Sequence, residues 1–205
     1  VVVTINKAPE VNAGTDRVTC EGSDVNLNGS ISGAATSATW STSGDGTFSF
    51  VGDLNATYTP GATDISSGSV TLTLTTDDPA GPCTDVSDFM VVTINPAPLA
   101  DAGVDKVICE ADSAHLVDAS ISGSATGVIW SGGLGTFSPN NTTLNAYYVP
   151  DASETGSSVL LTLTTNDPDG AGPCIEAVDQ VVVTINKAPE VNAGTDRVTC
   201  EGSDV

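Results

Sequence analysis

The feature that most constrains this chain is that its sequence repeats. The segment VVVTINKAPEVNAGTDRVTCEGSDV occupies residues 1–25 and recurs without change at 181–205. A diverged copy, VVTINPAPLADAGVDKVICEADSAHL, lies between them at 91–116. The copies start about 90 residues apart, which is the size of a small domain and lies outside the 20–50 residues typical of solenoids and propellers. The chain is therefore predicted to be a row of similar domains.

The segments between turns have the pattern of β-strands. SVTLTLTT at 69–76 and SVLLTLTT at 158–165 alternate apolar residues with threonine at period two, as half-buried strands do. Other short segments, such as SATWSTS and NATYTP, are bounded by Gly, Asn, Asp and Pro, which favour turns. No window has helical periodicity, so the predicted fold class is all-β.

Domain boundaries follow from where the copies end. VVVTIN at 1–6 matches the last residues of both long repeats, so it is predicted to be the last strand of a preceding repeat. Complete repeats are predicted over 7–95 and 96–186, and the truncated start of a further repeat over 187–205. The Lys-Ala-Pro or Pro-Ala-Pro that begins each repeat is a short junction stiffened by proline.

Landmark residues recur at the same place in both repeats. Each repeat has one tryptophan on a predicted central strand, Trp40 or Trp130, and a tyrosine further on, Tyr58 or Tyr148. A single tryptophan per domain at such a place is the expected core anchor of a β-sandwich. These four residues are therefore predicted to lie in the cores.

The order of these landmarks resembles the PKD-like repeats of very large cell-surface adhesins in the Bacteroidetes. WSTSGDGTF at 40–48 is similar to the WDFGDGT signature of PKD domains, while WSGGLGTF at 130–137 keeps the tryptophan and the GTF. The resemblance implies tandem immunoglobulin-like (PKD-like) β-sandwich domains in an extended array. It also implies an extracellular protein of the bacterial cell surface that uses the type IX secretion route and takes part in gliding.

The charge balance excludes some partners. The chain has 26 acidic and 5 basic residues, for a formal net charge of −21. Without a basic patch to neutralise phosphates, binding to nucleic acid or to an anionic membrane surface is not expected. No segment has the roughly 18–20 continuous apolar residues of a membrane helix, so no membrane insertion is expected in this segment.

Five cysteines alternate between two local sequences. Cys20, Cys109 and Cys200 lie in VTCEG or VICEA, and Cys83 and Cys174 lie in GPC. Zinc sites use paired Cys-x-x-Cys or Cys/His spacings, which this chain lacks. Disulfides formed in an oxidising compartment are therefore favoured.

Two disulfide patterns are open at the sequence level. Pairing within repeats would join Cys20 to Cys83 and Cys109 to Cys174, each stabilising a repeat by about 4 kcal/mol in the chain-entropy model. In an immunoglobulin-like topology, however, these two positions lie at opposite ends of a sandwich, beyond the roughly 7 Å Cα separation that a disulfide allows. The alternative joins Cys20 to Cys174 across the junction and leaves the other cysteines to partners in neighbouring repeats.

Acidic loops offer candidate ligands for Ca²⁺, and no other cofactor is expected. The carboxylates are those of Asp77, Asp78, Asp167 and Asp169. Their spacing matches no EF-hand or other ordered ligand pattern, so ordinary Asp/Pro/Gly turns are the favoured interpretation.

Catalytic residues are not predicted. His115 is the only histidine, and its counterpart in the first repeat is Asn26, so it is interpreted as a surface strand residue rather than a general base. No acid and base are paired in both repeats, and an enzyme is not expected. Ser113, within Asp-Ser-Ala, resembles a short acceptor sequence for O-glycans in the Bacteroidetes.

The function expected from the sequence is structural. The repeats would form a stiff stalk that presents the adhesive regions of a very long surface adhesin or filament, with neighbouring repeats packed head to tail. The alternative is a carbohydrate- or protein-binding module that uses the variable loops 50–53 and 139–143. Besides the neighbouring repeats, the partners expected for the chain are surface polysaccharide or the export and motility machinery. Exposed aromatic residues in those loops favour binding, whereas polar loops favour a spacer.

Overall fold

Two sets of strands build the chain, and each set has its own hydrophobic core. The computed structural model describes residues 1–3, 5–79 and 81–201. Residues 4, 80 and 202–205 lie outside the described residues. They belong to the predicted strand 1–6, to the acidic loop that contains Asp77 and Asp78, and to the predicted start of a further repeat at 187–205. We call the strands between residues 10 and 95 the first sandwich and those between 99 and 186 the second sandwich.

The bounds of the elements are as follows. The first sandwich comprises β1 (Glu10–Asn12), β2 (Arg17–Cys20), β3 (Val25–Asn26), β4 (Ser30–Ser32), β5 (Ala38–Thr42), β6 (Thr47–Phe48), β7 (Thr57–Thr59), α1 (Ala62–Ser67), β8 (Ser69–Thr76) and β9 (Ser87–Asn95). The second comprises β10 (Leu99–Asp101), β11 (Lys106–Cys109), β12 (Ala114–His115), β13 (Ser120–Ser122), β14 (Val128–Ser131), β15 (Thr136–Ser138), β16 (Tyr147–Val149), a 3₁₀ turn (Ala152–Glu154), β17 (Ser158–Thr165) and β18 (Val178–Asn186).

Both sandwiches have the same strand order. In the first, a four-stranded sheet of order β2-β9-β8-β5 faces a three-stranded sheet of order β3-β7-β6, and β1 pairs with β4. In the second, the corresponding sheets are β11-β18-β17-β14, β12-β16-β15 and β10-β13. The structure is 39% strand and 5% helix, so the all-β prediction is confirmed. The short helical segments were not predicted, because α1 and the 3₁₀ turn have only six and three residues and too few turns to show a period.

One parallel pairing decides which residues meet at the end of each sandwich. Strand β2 runs parallel to β9, with Arg17 opposite Val92 and Cys20 opposite Asn95. The end of β2 therefore lies beside the end of β9, where the chain leaves the first sandwich. The second sandwich repeats this arrangement, with Cys109 opposite Asn186.

Aromatic residues fill the two cores. Trp40, Trp130, Tyr58 and Tyr148 are each at most 2% exposed. Because the long strands alternate at period two, the leucines at 72, 74, 161 and 163 are buried in the same cores as these rings, whereas the threonines between them are only partly buried. Each indole N–H is also paired: Trp40 donates to the Asp53 carbonyl (3.1 Å), and Trp130 to the Leu144 carbonyl (2.9 Å).

A buried carboxylate closes the C-terminal end of each core. Asp64 on α1 and Glu154 in the 3₁₀ turn are 2% and 6% exposed. The Tyr58 hydroxyl donates to Asp64 Oδ2 (2.6 Å), and the Tyr148 hydroxyl donates to Glu154 Oε2 (2.7 Å). Burial, together with the bond to the carboxylate, raises the pKa of each tyrosine to about 12. Each phenol therefore stays protonated and remains a donor.

The glycines of the GDGTF landmark allow this carboxylate to come close to the backbone. The N–H of Gly46 donates to Asp64 Oδ2 (3.1 Å), and a Cβ at Gly46 would clash with the Tyr58 hydroxyl. A Cβ at Gly44 would clash with the Asp64 carboxylate. The landmark is thus a consequence of packing, which is why the GTF recurs in both repeats.

Removing a tyrosine hydroxyl tests the contribution of the buried carboxylate. Tyr148→Phe leaves Glu154 buried with one donor fewer, and we expect the free energy of unfolding of the second sandwich to fall by about 1–3 kcal/mol. Tyr147→Phe is the matched control, because Tyr147 is 43% exposed. Loss of its hydroxyl should change the free energy of unfolding by no more than about 0.5 kcal/mol. Urea unfolding followed by tryptophan fluorescence measures both. Equal effects of the two variants would contradict this account.

Candidate functional site at the junction of the two sandwiches

The linker between the sandwiches is three residues long and is held from both sides. Strand β9 ends at Asn95 and β10 begins at Leu99. Between them, the Ala97 N–H donates to Glu21 Oε2 of the first sandwich (3.4 Å), and the Ala97 carbonyl accepts from the Ser124 N–H of the second (3.4 Å). Pro98 is buried. The linker is therefore part of the interface rather than a free tether.

A disulfide crosses the junction beside this linker. Cys20, at the end of β2, is bonded to Cys174 in the loop between β17 and β18, with the two Cα atoms 5.1 Å apart. Cys20 is 7% exposed and Cys174 is fully buried. The Cys174 sulfur lies 3.9 Å from the Asn95 carbonyl oxygen and 3.8 Å from that of Pro96. The disulfide thus lies directly against the linker and gives the sandwiches a second covalent connection.

Of the two pairings that the sequence left open, the structure contains the one that spans the junction. The within-repeat alternative, Cys20–Cys83 and Cys109–Cys174, is wrong, because Cys20 is bonded to Cys174. The two cysteines of one sandwich lie at opposite ends of its long strands. Strand β8 has eight residues, which span roughly 26 Å at about 3.3 Å per residue. Among the described residues, Cys83, Cys109 and Cys200 are not bridged.

Asp169, predicted as a calcium candidate, takes part in this junction. Its Oδ2 accepts from the Asn95 side-chain amide (3.3 Å) and from the Cys174 N–H (3.3 Å). One carboxylate oxygen therefore joins the end of the first sandwich to the loop that carries the second cysteine. The first sandwich has no residue at this position, because its corresponding loop is shorter.

Asp77 is a hydrogen-bond acceptor for a neighbouring turn. Its Oδ1 accepts from the N–H groups of Thr36 (2.9 Å) and Ser37 (2.8 Å), and its Oδ2 accepts from the Thr36 hydroxyl (2.6 Å). The Thr36 hydroxyl, followed by these N–H groups, lowers the pKa of Asp77 to about 2. In the second sandwich a neutral residue, Asn166, accepts the same kind of backbone bonds. The position therefore requires an acceptor and not a charge.

Among the described residues, the other predicted candidates form no hydrogen bond across the junction. Asp167 accepts from the Gly170 N–H (2.9 Å) within its own turn, and Asp78 and Ser113 are exposed. Within the part of the chain that the structure describes, no group of three or more His, Cys, Asp or Glu could hold a metal ion. His115 is exposed on β12 and stacks on Tyr147, with ring centroids 4.1 Å apart.

Sequence reasoning missed three contributors to the junction. Glu21, Asn95 and Ser124 hold the linker and the cysteine loop, yet each looks like an ordinary surface residue in the sequence. The signal that could have found two of them is the repeat itself, because Glu21 has Glu110 as its counterpart and Asn95 has Asn6 and Asn186. No described helix is long and apolar enough to cross a membrane.

Comparison with known proteins supports the fold. No protein-family model matches the sequence, and no curated protein matches it. Among solved structures, the insect immune protein hemolin is similar, with a TM-score of 0.52 and 12% identity over 88% of this chain and 47% of that chain. Repeats EC22–24 of mouse cadherin-23 give a TM-score of 0.44 with 15% identity, over 88% of this chain and 67% of that one. Repeats EC1–4 of Drosophila N-cadherin give a TM-score of 0.44 with 14% identity, over 88% of this chain and 50% of that one.

The chain thus spans about half the length of the hemolin structure that it matches. At 12% identity the similarity shows the fold alone. Together with the strand order, it confirms the prediction of tandem immunoglobulin-like β-sandwiches.

Substitutions at Asp77 test whether its role is structural. Asp77→Ala removes the acceptor of two N–H groups and should lower the melting temperature, whereas Asp77→Asn should keep it near that of the parent chain at neutral pH, as Asn166 indicates. Because the folded pKa of about 2 is below the usual 3.8, the charge stabilises the fold above pH 3.8, and this contribution is lost as the pH falls to about 2. Asp77→Asn should abolish that pH dependence. A large rise in melting temperature with added Ca²⁺, lost in Asp77→Asn, would contradict the structural role.

Proposed function

We propose that this chain is a structural segment of a very long extracellular adhesin or filament, in which stiffly connected sandwiches form a stalk. The domain units of this stalk are the predicted ranges 7–95 and 96–186, preceded by the last strand 1–6 and followed by the start of a further unit at 187–205. The observation that carries the proposal is the Cys20–Cys174 disulfide across the junction.

Two connections at one junction restrict bending more than a single linker does. A flexible linker lets two domains rotate freely about it. Here the linker contains two prolines and is held through Ala97, while the disulfide and the Asn95–Asp169 bond connect the sandwiches at further points. Strands β9 and β18 have nine residues each, so each unit adds roughly 30 Å of length at about 3.3 Å per residue. Reach and stiffness are thus the proposed mechanism.

The setting of this stalk is proposed to be the surface of a bacterial cell. The repeats resemble the PKD-like repeats of giant Bacteroidetes adhesins, of which the gliding-motility adhesin SprB is an example. A disulfide is suited to an oxidising, extracellular compartment. A formal charge of −21 opposes lateral association of neighbouring stalks. In this setting the proposed partners are neighbouring repeats and the export and motility machinery, and no catalytic role is proposed.

Solution scattering tests the stiffness. The parent chain should give a narrow distribution of distances between the centres of the two sandwiches in small-angle X-ray scattering. Cys174→Ser should widen that distribution, because only the linker and hydrogen bonds remain. Cys109→Ser is the matched control, because Cys109 is exposed and unbridged, and it should leave the distribution unchanged. If the parent chain is as broadly distributed as Cys174→Ser, the junction is not stiff and the proposal fails.

One observation favours the alternative function, a binding module. Phe50 is 66% exposed in the loop 50–53, and Val51 beside it is 44% exposed. The corresponding loop 139–143 of the second sandwich contains only Pro, Asn and Thr. An exposed aromatic ring can stack on a sugar or anchor a protein, so surface polysaccharide or another protein is the candidate ligand in the first sandwich only.

Substitution of Phe50 tests this alternative. If the loop binds polysaccharide, Phe50→Ser should abolish retention of the chain on immobilised cell-surface polysaccharide. Phe89→Ser should retain binding, because Phe89 is similarly exposed, at 62%, but lies on β9. Lack of retention of the parent chain, or equal retention of all three proteins, would contradict a role for the loop in polysaccharide binding.

A further inference from the structure

The C-terminal end of the second sandwich has the same geometry as the surroundings of Cys20. Cys109 lies opposite Asn186, as Cys20 lies opposite Asn95. The Glu110 N–H donates to the Asn186 carbonyl (2.8 Å), and the Glu21 N–H donates to the Asn95 carbonyl (2.8 Å). Yet Cys109 is exposed and unbridged. The second sandwich therefore ends in a cysteine placed like Cys20 but with no bonded partner among the described residues.

An open cleft lies beside this end. Its volume is about 660 Å³, and Glu110, Asp112, Asp151 and Lys187 are among its lining residues. At the first junction a smaller cleft of about 330 Å³ lies between Glu21 and the residues around Cys174, among them Pro173 and Ile175. Glu110 thus lines an open cleft, whereas its counterpart Glu21 lines a cleft that it shares with the loop of Cys174.

The N-terminal end of the first sandwich shows the other half of such a junction. The Cys83 sulfur lies 3.8 Å from the Lys7 carbonyl oxygen, just as the Cys174 sulfur lies 3.8 Å from the Pro96 carbonyl oxygen. Gly81 lies so close to Asn6 that a Cβ there would be 2.5 Å from the Asn6 amide nitrogen. The Gly-Pro-Cys loop of the first sandwich therefore already rests on residues 6 and 7.

Both halves meet on the same piece of sequence. Residues 1–25 and 181–205 are identical, so Asn6-Lys7 and Asn186-Lys187 are two copies of one junction. In one copy the segment is flanked by a Gly-Pro-Cys loop, and in the other by Cys109. Cys109 lies opposite the asparagine of this Asn-Lys pair, and the Cys83 sulfur lies against the lysine carbonyl of the other copy.

We propose that Cys109, with Asn186 and Glu110 beside it, is the docking site for the Gly-Pro-Cys loop of a following sandwich of the first type, with a disulfide between Cys109 and the cysteine of that loop. The inference rests on the proposed function, because its partner is the next unit of the stalk. Every junction, rather than every second one, would then be cross-linked. The linker of this junction starts with Lys187 in place of Pro96, which sets one positive charge beside Glu110, Asp112 and Asp151.

The oxidation requires an acceptor for two electrons. The two thiols lose two protons and two electrons as the S–S bond forms. The acceptor is a disulfide, such as oxidised glutathione or a thiol–disulfide oxidoreductase, whose S–S bond breaks to give two thiols by exchange through a mixed disulfide.

An extended chain tests the inference. Appending residues 26–95 after Val205 completes a third sandwich, because 181–205 repeats 1–25. Cys83→Ser and Cys200→Ser are included so that every remaining cysteine lies in a unique peptide. After refolding with oxidised glutathione, peptide mapping without reduction should show Cys20 linked to Cys174 and Cys109 linked to the cysteine of the added segment. Alkylation should then no longer label Cys109, which is expected to be fully reactive in the 205-residue chain.

Two results would overturn the inference. In the first, Cys109 still reacts with the alkylating reagent although the Cys20–Cys174 link has formed. In the second, Cys109 is linked to Cys174. In the first case the scattering experiment on the first junction can still support a stiff stalk, so the two proposals fail separately. Cys109→Ser in the extended chain is the control: it should remove only the second link and leave the added cysteine reactive.

Discussion

Parallel pairing between the second strand and the last strand of each sandwich determines where every junction residue lies. Because β2 runs in the same direction as β9, Cys20 reaches the end of its strand beside Asn95, where the chain leaves the sandwich. An antiparallel partner would have carried Cys20 to the opposite end, near the loop of Cys83. The direction of one short edge strand therefore decides that the disulfide joins two sandwiches rather than two cysteines of one sandwich.

The two sandwiches contain the same hydrogen bonds at positions where their residues differ. A buried carboxylate accepts from a tyrosine hydroxyl in both, but it is Asp64 on a helical turn in one and Glu154 on a 3₁₀ turn in the other. A side-chain oxygen accepts from two backbone N–H groups in both, but it belongs to Asp77 or to Asn166. Such replacements keep the geometry because hydrogen-bond acceptors are interchangeable where charge is not required.

Local pattern made much of this fold predictable from the sequence. Period-two alternation identifies β8 and β17, and the recurrence of Trp40 and Tyr58 at Trp130 and Tyr148 identifies the cores. The same information could not choose between the disulfide patterns, because the choice depends on which end of a sandwich each cysteine reaches, and strand direction is not encoded in alternation. Nor could it assign Asp77, whose partners at Thr36 and Ser37 are about 40 residues away in sequence.

The proposed stiffness of the stalk depends on the disulfide and on the clamped linker, which together join the two sandwiches. Peptide mapping tests the covalent connection most directly. The 205-residue chain with Cys200→Ser, in which the sequence around Cys20 is unique, is oxidised and cleaved at acidic residues without reduction. The account predicts a linked peptide pair that contains Cys20 and Cys174, with Cys83 and Cys109 recovered as free thiols. A linked pair that contains Cys20 and Cys83 would contradict it.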